Sequence, residues 1–100
     1  MKTVEIHPPP KKKDLLSAIG GTLRAVRNER GLTLRQVAEG AHVSISYLAE
    51  IERGEKDPSS RVLESVAGGL GIGMGDLLVR IAATLEPKAS ATPVAGKLAA

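Results

Sequence analysis

Apolar residues in this chain recur every three or four positions, and the runs are broken by glycine, proline or a capping hydroxyl. Leu15, Ile19, Leu23 and Val26 follow Asp14 at that spacing, which predicts one face of a helix of about four turns. Gly31 is placed to end it in a left-handed conformation. Thr33 and Gln36 make a capping-box pair, so a second helix is expected at once. It should bury Leu34, Val37 and Ala38 and run out near Gly40. After a tight turn through "AHVS", Ser44 is a good N-cap for a third helix over 45–53, which Gly54 stops. At about 100° per residue, Tyr47, Leu48 and Ile51 share one side of this helix. Ser46, Ala49, Glu50 and Arg53 share the other, with Ile45 at the edge.

Pro58 bars helix at Asp57, and Ser59 or Ser60 caps a fourth stripe through Leu63, Val66, Ala67 and Leu70. Gly68 and Gly69 are expected to weaken that helix, each by about 1 kcal/mol relative to Ala. The break "GIGMGD" precedes a fifth helix through Leu77, Leu78, Ile81 and Leu85. No strand-like alternation of useful length occurs. The pattern predicts an all-α fold of five short helices in one domain over 14–85. A flexible basic and proline-bearing arm over 1–13 and a disordered tail over 86–100 flank it.

Composition narrows the chemistry. With one Tyr and no Trp or Phe among 100 residues, the core must be built from Leu, Ile, Val and Ala. The absence of cysteine excludes disulfides and thiolate metal sites. No apolar run approaches the roughly 18 residues of a spanning helix. "MKTVEIHPPPKKK" has no signal-peptide core either, so a soluble, cytoplasmic, nucleoid-associated protein is expected. The net charge of +3 resides in residues 1–13, which hold four Lys and one Glu. Net charge is therefore a poor argument for nucleic acid. Local clustering matters more, at Lys11, Lys12 and Lys13 and at Arg24, Arg27, Arg30 and Arg35. His7 and His42 lack metal-ligand spacing, and the carboxylates are scattered among basic residues. The glycines of "GIGMGD" follow a helix rather than a strand, so they do not form a phosphate cradle. The expectation is no enzyme, no cofactor, no metal and no small-molecule ligand.

Two helices joined by a tight turn, the second capped by serine, suit a recognition helix in a DNA major groove. The residue order adds to this. "LTLRQVAEGAHVSISYLAEIERGEKDPSSRVLESVAGGLGI" resembles the DNA-binding domain of the Xre (Cro/CI-type) helix-turn-helix regulators. The likeness rests on the Thr-started helix with Gln-x-Ala, the Val-Ser turn, the closing Glu-Arg-Gly, Pro-Ser and the family's Leu-x-x-Leu-Ala, here Leu-Glu-Ser-Val-Ala over 63–67, across about residues 17–80. Within that family, "YLAEIERGEKDPSSRVL" is similar to actinobacterial activators of Clp protease genes, the ClgR-like branch.

The resemblance implies roles residue by residue. Glu52 would pair with Arg27 and lock helix three to helix one. Ser44, Ile45, Ser46 and Glu50 would contact bases or adjacent phosphates. Chemically, Ile45 suits a thymine methyl, Ser46 a base edge and Glu50 the N4 amine of cytosine; a solvated helix charge is the alternative for Glu50. Phosphate contacts are expected from Thr33, Arg35, Gln36 and Arg53, with helix-start amides. Tyr47 would turn its hydroxyl to a phosphate or simply fill core. Lys11–Lys13 would lie along DNA or remain an unengaged arm. Partners implied are double-stranded DNA and a second copy, a homodimer through Leu77, Leu78, Ile81 and Leu85 on a two-fold operator. The ending "KLAA" is similar to tags that deliver proteins to Clp proteases, making Leu98, Ala99 and Ala100 a candidate degradation signal. The chain departs from the family at His42, a turn position usually held by Gly, and in its Gly68–Gly69, Gly73 and Gly75. A protein-binding adaptor or antitoxin built on the same helices is the competing reading.

Overall fold

The computed structural model describes residues 12–85, with side chains from Asp14 onward. Five helices make up this region: α1 (Lys12–Glu29), α2 (Leu34–Ala41), α3 (Ile45–Glu52), α4 (Ser60–Leu70) and α5 (Met74–Leu85). No strand occurs among the described residues, and the all-α expectation holds. Two boundaries move. Helix α1 begins at Lys12 rather than Asp14, and Arg53 is the C-cap of α3 rather than part of it. Lys11 and the Leu98–Ala100 segment lie outside the described residues, as do the side chains of Lys12 and Lys13.

Short polar side chains start α2, α3 and α4. Thr33 Oγ1 accepts from the Gln36 amide at 3.0 Å while Gln36 Oε1 accepts from the Thr33 amide at 2.8 Å, closing the capping box. Ser44 and Ser59 cap α3 and α4 by accepting from the amides of Tyr47 and Val62 at 3.0 and 3.1 Å. Four helix ends then share one device. Gly31, His42, Gly54 and Gly71 all take positive φ, and in each case the next amide reaches back to a carbonyl five residues earlier. The acceptors are Arg27, Ala38, Glu50 and Ala67, the Schellman arrangement that satisfies carbonyls otherwise left open. His42, at φ 58°, does this without glycine's freedom from steric cost.

The helices close around an aliphatic core in which Leu23, Val26, Val37, Leu48, Ile51, Val66 and Leu77 are almost wholly buried. Helix α2 packs on α3 and α4, while α1 packs on α3 and α5. Missing side chains set two of these approaches. A Cβ on Gly20 would fall on the backbone carbonyls of Ile51 and Glu52, so α1 meets the end of α3 backbone to backbone. A Cβ on Gly69 would lie 2.8 Å from the Val37 carbonyl oxygen, and one on Gly40 would lie 3.1 Å from the Gly69 Cα. Helix α2 ends at Ala41, one residue past Gly40 as expected, and the Gly69 position has no room for a Cβ. A Cβ on Gly68 would meet nothing within 4 Å.

Polar bonds fasten the periphery. Arg30 Nη1 donates to the carbonyls of Leu70 and Gly71 at 3.3 and 2.8 Å, setting a cation on the negative end of α4. Buried Thr22 lies 3.4 Å from the Thr84 hydroxyl. Thr84 in turn donates to the Arg80 carbonyl, so Thr22 is the donor of the pair. Among the described residues, no single helix is long and apolar enough to cross a membrane.

Candidate nucleic-acid interface

Helix α3 is anchored on one side and open on the other. Leu48 and Ile51 have no exposed surface, and Tyr47 and Ile45 are partly buried against the core. At its end, Arg27 Nε donates to Glu52 Oε2 at 2.8 Å and Nη2 donates to Oε1 at 3.0 Å. Their side chains retain only 14% and 7% of their exposure. The remaining nitrogen, Nη1, donates to the Leu32 carbonyl at 3.1 Å. One guanidinium thus ties α1, the α1–α2 connection and α3 together. The bond to Glu52, then its charge, raise the Arg27 pKa further above its ordinary value despite the opposing effect of burial.

The open side carries Ser44 and Ser46, both exposed, then Ala49 and Glu50, partly exposed, and Arg53, exposed. Glu50 and Ser46 make no side-chain hydrogen bond or ion pair among the described residues. Arg53 behaves differently from the simple expectation of a free phosphate ligand. Its Nε and Nη2 donate to Glu55 Oε2 and Oε1 at 2.9 and 3.0 Å. This leaves its Nη1 edge as the outward donor. That pairing raises the Arg53 pKa and lowers that of Glu55, the side-chain hydrogen bond being the largest cause of each.

Around α3, Thr33, Arg35 and Gln36 are exposed at the start of α2. The capping box uses the Thr33 oxygen and the Gln36 carbonyl oxygen, leaving the Thr33 hydroxyl proton and the Gln36 amide NH2 as donors. The four residues assigned to self-association differ in exposure. Leu77 is 0% and Ile81 5% exposed, so both belong to the core and are withdrawn from any subunit interface. Their inward direction follows from α5 lying across α1 and α4. Leu85 is partly buried against the core. Leu78 points outward, joined by Val79, the most exposed large hydrophobic residue at 68%. Sequence periodicity passed over Val79 because it falls off the Leu77–Ile81 stripe. No group of three or more His, Cys, Asp or Glu side chains among the described residues is arranged to hold a metal ion.

The helix-turn-helix domain family matches residues 18–80, from the middle of α1 through most of α5. This chain belongs to the helix-turn-helix family. It is of the Xre (Cro/CI) type. The transcriptional regulator ClgR of Mycobacterium tuberculosis is 41% identical over 78 residues, covering 75% of this chain and 70% of that one. The immunity repressor of Bacillus phage phi105 is 54% identical over 54 residues, which span 54% of this chain and 38% of the repressor. A crystal structure of the clp gene regulator ClgR from Corynebacterium glutamicum superposes with a TM-score of 0.71 at 40% identity. It covers 91% of this chain and 94% of that structure. In this helix-turn-helix unit, α2 and α3 form the paired helices and His42 occupies their turn.

Proposed function

We propose that this helix-turn-helix protein is a sequence-specific transcription regulator of double-stranded DNA, with α3 as the helix that enters the major groove. The observation that carries this reading is the division of α3. Leu48, Ile51 and the Arg27–Glu52 pair immobilise one side, and Ser46, Glu50 and the hydroxyl proton of the capping Ser44 remain available on the other. A rigid helix with an uncommitted polar face meets the geometric need of direct base readout. Arg35, the Thr33 hydroxyl, the Gln36 amide and the free edge of Arg53 would hold the flanking phosphates. The protein acts as a homodimer through the outward side of α5 at Leu78 and Val79, setting two α3 helices about 34 Å apart on a two-fold operator.

Similarity to ClgR supports control of Clp protease or stress genes. Leu98, Ala99 and Ala100 would then return the regulator to Clp proteases; equal decay of wild type and Ala99→Asp/Ala100→Asp in a pulse-chase contradicts that part. The main reading is tested by selecting genomic fragments bound by the full chain and titrating salt against one of them. A DNA reader keeps a sequence preference and loses affinity steeply as salt rises. Equal binding to scrambled duplex, or no binding, contradicts it.

A further inference from the structure

Glu50 and Arg53 stand three residues apart at the end of α3, the spacing at which opposite charges on a helix normally pair. They do not pair here. The Gly54 turn brings the Glu55 amide within 2.9 Å of the Glu50 carbonyl, and the Glu55 carboxylate takes the Arg53 guanidinium side-on through two bonds. Glu50 is left without a hydrogen-bonded partner on the face assigned to the major groove, with the Arg53 charge nearby but its guanidinium bonded to Glu55. An acceptor-only anion there is repelled by phosphates and by the N7 and O6 of guanine and the O4 of thymine. Adenine offers an amine but sets its N7 acceptor beside it. Cytosine alone offers N4–H without an adjacent acceptor on its own edge.

We infer that Glu50 is a specificity-determining residue that selects a cytosine in each half-site, chiefly by excluding bases that present acceptors, and that Glu55 is the positioning residue that keeps it unpaired. This rests on the reading of α3 as the DNA-contacting helix. Exclusion of this kind raises specificity while lowering affinity for DNA in general.

The test is selection from a randomised duplex library by the full-length wild type, Glu50→Ala, Glu50→Gln and Glu55→Gln, followed by binding measurements on single-position operator variants. Glu50 is on an open face, and Ala and Gln are both good helix formers, so all four proteins fold; their melting temperatures check this. The wild type should require cytosine at one position per half-site, with about tenfold or greater discrimination, the scale of one good base contact. Glu50→Ala should bind all duplexes more tightly and lose the preference at that position alone. Glu50→Gln, which can also donate, should shift the preference toward adenine. In Glu55→Gln, Arg53 is released toward Glu50, and discrimination at the same position should fall by severalfold with Glu50 still present. An unchanged preference in Glu50→Ala, with the wild type sequence-specific, overturns the inference and leaves the DNA reading intact. A wild type without sequence preference overturns both.

Discussion

Arg27 and Glu52 meet side-on, Nε to Oε2 at 2.8 Å and Nη2 to Oε1 at 3.0 Å, across 25 residues of sequence. Both side chains are largely covered, so removing one partner leaves the other charge unpaired and poorly hydrated. Arg27→Met or Glu52→Leu should each cost about 3 kcal/mol, the lower end for a pair that is not fully buried. Combining Arg27→Met with Glu52→Leu should recover much of that loss, because no charge is then left unpaired. Urea unfolding of the three variants checks this; additive losses would mean the pair is not a unit.

Adjacent glycines should respond in opposite directions. Gly21 and Gly68 face open space, so Gly21→Ala and Gly68→Ala should stabilise by roughly 0.5–1 kcal/mol. Gly20→Ala and Gly69→Ala push a methyl into backbone of α3 and α2 respectively and should destabilise by about 1–3 kcal/mol. Thermal unfolding of the four variants is the measurement, and the same sign within each pair would contradict the close approaches.

Much of this was legible before the fold was. Capping hydroxyls at Thr33 and Ser44 and the stripes through Leu48, Ile51, Leu63 and Val66 read directly as helices, because local chemistry and periodicity point the same way there. The close approaches at Gly20 and Gly69 are not legible, because a glycine that admits a neighbouring backbone looks, in sequence, like one that merely weakens a helix. The Leu77–Ile81 stripe was readable as apolar, but periodicity alone does not say whether a stripe faces the core or a partner. The Arg53–Glu55 pair was missed because it depends on the turn at Gly54, which folds two adjacent segments onto each other.

Separating core from surface on α5 gives a test of assembly. Leu78→Asp or Val79→Asp should leave a folded monomer with weakened DNA binding, since both side chains point outward. Leu77→Asp should unfold the domain by burying an unpaired charge. Light scattering with circular dichroism distinguishes the two, and a dimer that survives both surface changes would contradict the proposed interface.

The Arg53–Glu55 contact has a pH signature of defined sign. Arg53 holds the Glu55 carboxyl below its usual range, so the folded state favours the ionised form. The contribution is present above the ordinary glutamate range and is lost as pH falls through the lower, folded value. Carboxyl carbon NMR should show Glu55 titrating low in the wild type and moving up in Arg53→Gln. No movement would mean the pair does not persist in solution.

The account depends on α3 having one side fixed to the domain and the other free to touch DNA. Titration of the isotopically labelled full chain with its selected operator, followed by amide and side-chain NMR shifts, tests this most directly. The largest changes should fall on Thr33–Gln36 and Ser44–Arg53, with Leu48 and Ile51 still protected from exchange. Changes concentrated on α1 and α5, with Ser46 and Glu50 unmoved, would contradict it.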